Sequence, residues 1–201
     1  MVSSLKRVRD SQRIRVYRAN SGVLGAPLPH MDDVRSFSQE VVDSQIYRTM
    51  FPNKSTWTVP HLKPGKGART AHVLWHFDGR IEIAFPKAYR FSTYVLHEFA
   101  HYGFGLDERI AAHGPEFVGA WLELVRHFCS ARTVSALEKG LAREKVKYHI
   151  PVLDIRELQS ASSPHRPKTS EPKFRYDPDS NTVFVSGSID YIDLEQLELF
   201  G

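Results

Sequence analysis

Residues 97–117 read HEFAHYGFGLDERIAAHGPEF, a stretch in which three histidines lie among acidic side chains. His97 and His101 are four residues apart, so on a helix they lie about 40° apart around the axis and can face one metal ion. Glu98 lies about 100° round from His97, where it can meet a water at that ion without binding the metal. The spacing therefore predicts a helical metal site with an adjacent base. The alternative is that two unrelated histidines of an ordinary helix produce the same pattern.

A third ligand is needed, because a catalytic zinc site usually has three protein ligands and one position open for water. Asp107 lies 6 residues after His101, an offset used by metzincins, but that motif requires a glycine where this chain has Phe104. His113 lies 12 residues after His101, beyond a glycine-containing turn and directly before the predicted start of another helix. Both residues are candidates, and we favour His113.

Upstream of the histidines, residues 70–85 read TAHVLWHFDGRIEIAF and contain two β-prone runs on either side of Asp78 and Gly79. This dipeptide is a strong hairpin signal, so we expect strands at about 71–77 and 80–85. The second strand immediately precedes the metal-binding helix, and we expect it to be an edge strand beside the cleft. An extended peptide could add to that edge, which predicts a protein or peptide substrate.

Helix signals occur on both sides of the hairpin, while residues 51–70 read as a loop interrupted by prolines and glycines. The predicted helices run from Asp32 or Asp33 to about Met50, from about Ser92 to Gly103, from Pro115 to about Cys129, and from about Thr133 to Tyr148. These elements predict an α+β fold. In it, a small antiparallel sheet packs on the helix that carries the histidines and on further helices.

The chain of 201 residues is 41% hydrophobic and can bury one substantial core, which predicts a main domain over residues 1–158. Residues 159–173 have almost no apolar content and read as a flexible linker. Residues 174–201 regain hydrophobic character and predict an appendage with a hairpin. Cys129 is the only cysteine, which excludes an internal disulfide and a cysteine-built zinc ribbon.

The formal net charge of +4 includes a basic cluster near the amino terminus, which is either a solvated segment or a contact for DNA phosphate. Its members are Lys6, Arg7, Arg9, Arg13, Arg15 and Arg18. The sequence has no run of about 18 apolar residues, and residues 1–30 lack the apolar centre of a signal peptide. We therefore expect a cytoplasmic protein without a membrane partner.

The pairing of HEFAH at 97–101 with HGPEF at 113–117 resembles the SprT-like zinc metalloproteases, the group that includes the Spartan DNA-dependent proteases. This similarity covers residues 70–130. The opening RDSQRIRVYRAN at 9–20 also resembles small metallohydrolases of actinobacteria and their phages, which extends the similarity over most of the first 150 residues. The resemblance implies a minimal zincin-like metalloprotease fold.

Carried over by position, the resemblance implies that Zn²⁺ is held by His97, His101 and His113, with Glu98 as the general base. The spacing from His101 to His113 is shorter than in the Spartan proteins, and the cysteine-based zinc ribbon of many SprT-like proteins is absent. The expected activity is cleavage of proteins or peptides. The alternatives are a DNA-associated binding module with a structural metal, a DNA-dependent protease acting on DNA-bound proteins, and a hydrolase of another amide or of a small molecule.

Three further groups of residues could support such a site. The acids that could orient the ligands are Asp107, Glu108 and Glu116. The groups that could stabilise a developing negative charge are Tyr89, Tyr94, Tyr102, Arg69 and Arg90. His72 and His76 fall on one face of the first predicted strand, where they form either a second small site or ordinary surface histidines.

Overall fold

The computed structural model divides the chain into two compact units, Met1–Ala161 and Ser162–Gly201. The described parts of the chain are residues 9–65, 70–107, 109–151, 173–177, 182–186 and 192–193. None of the helices in these parts has the length and apolar character that crossing a bilayer requires. The predicted linker falls almost entirely outside the described residues, and the domain limits inferred from composition stay predictions.

The larger unit combines helices with a three-stranded sheet, so the predicted α+β class is confirmed. Its described α-helices are α1 Arg13–Asn20, α2 Met31–Asp43, α3 Gln45–Met50, α4 Ser92–Phe104, α5 Pro115–Phe128 and α6 Ala131–Arg143. Its strands are β1 His61–Pro64, β2 His72–Trp75 and β3 Ile81–Phe85. Short 3-10 helices occupy Lys54–Thr56 and Lys87–Tyr89.

The predicted hairpin is confirmed, because β2 pairs with β3 in antiparallel fashion and Val73 lies opposite Ile83. Gly79 in the connecting turn has a φ of +83°, a conformation that glycine adopts without steric cost. The predicted antiparallel sheet is wrong in one respect, since β1 pairs with β3 in parallel and the sheet is mixed.

The position of β3 also differs from the prediction. The strand order is β1-β3-β2, so β3 is the central strand and not an edge strand. β1 lies inside the segment that reads as a loop, because Pro60 and Pro64 hide a strand of only four residues. Proline is tolerated there because an edge strand leaves some N–H groups unpaired.

Two predicted helices have different limits in the structure. The helix expected to run to Met50 divides at Ser44, whose backbone is extended and whose side chain accepts the N–H of Tyr47 to cap α3. His30 precedes α2 as its cap residue, and Asp33 accepts the His30 N–H at 2.9 Å. The last helix ends at Arg143 because Lys145 has a positive φ of 52°, which is incompatible with continuing the helix.

The core lies where α4 and α5 pack on each other and on the sheet. α5 begins at Pro115, as predicted, and buries both sides of its apolar run. Trp121 is fully buried, and its Nε1 donates to the carbonyl of Thr93 at 3.2 Å. Each fully buried side chain of this size contributes about 1.5–3 kcal/mol relative to exposure. This packing fixes the rotation of α4 and thereby the direction of its histidines.

The amino-terminal helix α1 docks on α6. A Cβ at Gly140 would lie 2.2 Å from the carbonyl oxygen of Ala19, so the two helices approach too closely for any other residue there. Gln12 donates to the carbonyl of Lys147 at 2.9 Å and accepts the Lys147 N–H at 3.1 Å. Two residues on, the N–H of His149 donates to the carbonyl of Pro115 at 2.9 Å. The chain after α6 thus contacts both α1 and α5.

The smaller unit contains three described strands. They are β4 Lys173–Asp177, β5 Thr182–Ser186 and β6 Ile192–Asp193, and each neighbouring pair is antiparallel. The pairing of β4 with β5 is the one that a hairpin in this region requires.

Candidate metal centre

Three histidine rings converge on one point between α4 and the start of α5. Nitrogen atoms of His97, His101 and His113 all lie within 4.8 Å of one another. The Nε2 atoms of His97 and His101 are 3.2 Å apart. Two nitrogens bound tetrahedrally at 2.0–2.1 Å from zinc would be about 3.3 Å apart. A direct N–H···N hydrogen bond has a similar length, so the third ring distinguishes the two interpretations.

His113 supplies that distinction. Its side chain is 5% exposed, and its Nδ1 donates to Oδ2 of Asp10 at 2.8 Å. The other ring nitrogen, Nε2, is buried and has no hydrogen-bond partner among the described residues. A buried polar atom without a partner is costly unless a ligand satisfies it. The three histidines are therefore placed to bind a metal ion, and the third member of the group is His113 and not Asp107.

The local sequence explains how the rings meet. His97 and His101 are one turn apart on α4. The helix is capped by Gly105, whose φ is +63° and whose N–H donates to the His101 carbonyl at 3.0 Å. The chain then turns to Pro115, the first residue of α5, and this brings His113 beside the pair. The ring of Phe117 stacks on His101 with a centroid distance of 4.2 Å, which limits the rotation of that imidazole.

Burial keeps all three imidazoles neutral at pH 7. It lowers the pKa of His101 to about 3 and holds the pKa of His97 well below the usual value. Burial also lowers the pKa of His113, against the opposing effect of the Asp10 carboxylate. A neutral imidazole has a free lone pair for a metal, so the chemical state of the rings suits coordination.

Glu98 lies next to this group and lines the same cleft as His101. Its side chain is almost fully buried, at 5% exposure. Burial raises the pKa of the Glu98 carboxyl to about 8, against a hydrogen bond from the backbone of Val73. A carboxyl whose pKa lies near the working pH can accept a proton and return it, which is the property of a general acid–base group.

The cleft beside the histidines has a volume of about 390 Å³ and lies between α1, β2, α4 and the loop before α5. Much of its wall is apolar, with Val73, Trp75, Phe104, Leu106, Ile110 and Phe117 among the lining residues. The sheet edge beside it belongs to β2, because β3 is enclosed by its two neighbours. The prediction that the strand at 80–85 is an edge to which a peptide could add is therefore wrong, because β1 and β2 occupy both of its sides.

The carboxylate that orients a ligand is Asp10, which the sequence did not indicate. Asp107 lines the cleft but pairs with Arg109 at 2.7 Å. Glu116 lies 3.5 Å from His149, on the far side of the start of α5. Glu108 lies outside the described residues. No spacing rule links Asp10 to a histidine about a hundred positions later, and its only signal was its place in the stretch 9–20.

The tyrosines predicted to assist the site do not reach the cleft in the described structure. Tyr89 and Tyr94 pack edge to face on each other with a centroid distance of 5.0 Å. The hydroxyl of Tyr102 donates to the carbonyls of Ser55 and Thr58 at 3.1 and 3.0 Å. These contacts give the three tyrosines structural roles.

The predicted arginines are not found at the cleft in the described structure either. Arg90 donates to the carbonyls of Phe85 and Pro29, each at 3.2 Å, and Arg69 lies outside the described residues. Tyr17 of α1 lies beside the histidines instead, with its ring centroid 5.0 Å from that of His113. Sequence reasoning missed Tyr17 because α1 reads as a basic segment with no link to the motif.

The members of the basic cluster have different environments in the structure. Arg13 lines the cleft, and Arg15 donates to the carbonyl of Lys145 at 3.0 Å. Arg9 and Arg18 are exposed. Lys6 and Arg7 lie outside the described residues, and contact between this segment and DNA stays a prediction.

His72 and His76 do not form a second site in the part of the chain that the structure describes. The Nδ1 of His72 donates to the carbonyl of Thr70 at 3.0 Å. The Nε2 of His76 lies 3.2 Å from Oε2 of Glu82. Each histidine therefore has its own partner, as expected of ordinary strand histidines.

No family model matches the chain, and neither a curated protein nor a solved structure matches it. The function must therefore be inferred from the residues of the centre. Those residues provide three convergent imidazoles and one acid, Glu98, on the helix that carries His97 and His101. A cleft adjoins them.

Proposed function

We propose that this protein is a zinc-dependent metallohydrolase with a zincin-like site, and that it cleaves peptide bonds in proteins or peptides. One observation carries the proposal more than any other. Three neutral imidazoles face one point while the buried carboxyl of Glu98, on the same helix, faces the cleft beside them. Histidines that served only packing would not leave the Nε2 of His113 buried without a partner.

The donor set favours zinc among the available metals. Imidazole suits zinc, copper, iron and nickel, whereas magnesium and calcium prefer oxygen ligands. Non-haem iron sites usually combine two histidines with a carboxylate, and the group in the described residues has three histidines and no carboxylate. Three protein ligands with one position left for water are typical of catalytic zinc, while structural zinc usually has four.

A zinc ion held by these three histidines would lower the pKa of a bound water to about 7. The protein's own contribution is the carboxyl of Glu98, which accepts the proton of the attacking water and later gives it to the departing amine. Asp10 keeps the proton of His113 on Nδ1, so that Nε2 faces the centre. The side chains of Phe117 and Trp121 pack against His97 and limit the access of other water.

A peptide substrate is supported by the shape of the cleft. β2 borders it and has no strand partner on its outer side within the described residues, so an extended chain can lie along that edge. The apolar side chains around the cleft suit the burial of substrate side chains beside the reacting bond. A volume of about 390 Å³ lies within the usual range for ligand sites.

The test is the substitution Glu98→Gln, which keeps the size of the side chain and removes its basicity. We expect cleavage of casein to fall by about 10²- to 10⁴-fold, because general acid–base catalysis contributes that much. Bound zinc per chain, measured by mass spectrometry of the metal, should stay the same. Glu40→Gln, an exposed change on α2, is the matched control and should keep full activity.

Retained cleavage by Glu98→Gln would exclude the assigned role of Glu98. Absence of bound zinc in the wild type would exclude the proposed metal. Each assay should be run with and without single-stranded DNA, because activity that appears only with DNA would identify the DNA-dependent form of the protease.

A further inference from the structure

Arg13 lies at the mouth of the same cleft as the metal centre. It is the first residue of α1 and lines the cleft together with Glu98 and His101. The guanidinium therefore lies beside the position where a substrate would meet the histidines.

The guanidinium of Arg13 has no ion-pair partner among the described residues. Two acidic residues near this cleft have other partners, since Asp10 accepts from His113 and Asp107 pairs with Arg109. Arginine usually finds a carboxylate or phosphate when it faces a site that is partly shielded from water. An arginine on the wall of a cleft, with no ion-pair partner in the part of the chain that the structure describes, is thus available for an anionic group of a ligand.

Arg13 packs on a neighbouring aromatic ring, although its own side chain is exposed. Its Cζ lies 5.6 Å from the ring centroid of Tyr17, and that ring contacts His113 edge to face. α1 itself is held on α6 by the paired hydrogen bonds between Gln12 and Lys147. A group that is already ordered loses less conformational entropy when it binds, which increases its contribution to affinity.

We propose that Arg13, supported by Tyr17, binds a carboxylate of the substrate next to the bond that is cleaved. The carboxylate belongs either to an aspartate or glutamate side chain or to the carboxyl terminus of a peptide. The proposal rests on the proposed function, because it assigns a substrate class to the same cleft.

A peptide carboxylate fits the surroundings of Arg13 better than DNA phosphate does. The neighbouring wall is apolar, with Trp75 and Leu106, and it suits the side chains that flank an acidic residue. A phosphate backbone is usually met by several cations along one surface. Arg15 is unsuited to that role, because its guanidinium is bonded to the carbonyl of Lys145.

The experiment measures binding separately from cleavage, in the full-length Glu98→Gln protein loaded with zinc. The probes are alanine-based fluorescent peptides with a central Glu or Gln, each with a free or an amidated carboxyl terminus. We expect the carboxylate to increase affinity by about 10-fold or more, as charge-assisted hydrogen bonds do. Comparing Glu with Gln tests the side-chain carboxylate, and comparing free with amidated ends tests the terminal one.

Adding Arg13→Gln to this protein should remove the preference and leave affinity for the neutral, amidated peptide unchanged. Arg13→Lys should restore only part of it, because an ammonium cannot form the two-pronged contact of a guanidinium. Arg18→Gln, an exposed change on the same helix, is the matched control and should keep the whole preference. Urea midpoints and zinc content establish that each variant is folded and loaded.

Equal affinity for all four peptides would overturn the carboxylate site, even if the wild type cleaves casein. A preference that depends on Arg13 in a protein that cleaves no peptide would support the site and exclude the proposed function. If Arg13→Gln weakens binding of a single-stranded oligonucleotide and leaves the peptides unaffected, Arg13 binds phosphate and the proposal is wrong.

Discussion

The metal centre is supplied by two regions of the chain that reach it in different ways. The first, residues 97–113, carries its three histidines and Glu98 on one helix and the loop that follows. The second, residues 10–17, lies far earlier and contributes Asp10, Arg13 and Tyr17 through the docking of α1 on α6. The first region owes its geometry to helical spacing, and the second owes its geometry to tertiary contacts. A motif can therefore identify residues that are placed to bind a metal while missing the groups that orient them and the groups that we propose contact the substrate.

Removing the hydrogen bond between Asp10 and His113, which links the two regions, should have the largest effect on zinc binding. We expect Asp10→Ala to weaken zinc binding by about 10- to 100-fold, because the partner of a ligating histidine fixes its tautomer and orientation. Asp10→Asn should have a smaller effect, since the amide oxygen can still accept from Nδ1 of His113. The measurement is zinc affinity by competition with a chelator. Asp32→Ala, an exposed change on α2, is the control.

If Asp10→Ala binds zinc as tightly as the wild type, the amino-terminal region does not support the centre, and residues 97–113 suffice. The amino-terminal region would then contribute only the proposed contacts with the substrate.

A change at the contact of α1 with α6 should have an intermediate effect. Alanine in a helix interior is normally favoured over glycine by about 1 kcal/mol. At Gly140 the added methyl group would meet the carbonyl of Ala19, so we expect Gly140→Ala to lower the free energy of unfolding by about 1–3 kcal/mol. Zinc affinity should fall with it, because α1 positions Asp10. Urea unfolding and the chelator assay measure the two effects.

Lys139→Ala, on the exposed side of α6, is the control for this change and should alter neither quantity. A stabilised Gly140→Ala protein would contradict the close approach of the two helices.

The smallest effect is expected at a charged group on the sheet, away from both regions. The ammonium of Lys63 holds the pKa of Glu82 at about 2, below its usual value of 4.5. Because the folded-state pKa is the lower one, the carboxylate stabilises the protein above about pH 4.5, and this contribution is lost as the pH falls towards 2. We expect Glu82→Gln to lower the urea midpoint at pH 7 and to differ less from the wild type at pH 3.

Zinc affinity at pH 7 should be unchanged in Glu82→Gln, which shows that a loss of stability alone does not mimic the effect of Asp10→Ala. A difference in urea midpoint that is the same at both pH values would exclude the assigned ionisation of Glu82.

The parts of the fold that could be predicted are those with local signals. Gly79 marks the hairpin turn, Pro115 starts α5, and the four-residue spacing of His97 and His101 defines the pair. Each of these signals lies within a few residues of the structure that it determines. The location of His113 followed from the next helix start, which is also local.

The parts that could not be predicted depend on contacts between distant segments. β1 is too short to show a period and pairs in parallel with β3, so the central position of β3 had no signal in its own residues. The break at Ser44 depends on a cap geometry that a continuous apolar stripe conceals. Arg13 and Tyr17 reach the cleft only because α1 docks on α6.

The short segment after α6 bonds to both parts of the chain that form the centre. Lys147 bonds to Gln12 ahead of α1, and two residues later His149 bonds to the first residue of α5, while a Cβ at Gly119 would lie 1.7 Å from the His149 carbonyl oxygen. These contacts connect the segment to the residues ahead of α1 and to the start of α5, on both sides of the centre. A protease nick between Lys147 and His149 would break the covalent link between these bonds and should loosen the contact of His113 with Asp10, with His97, Glu98, His101 and His113 all left intact.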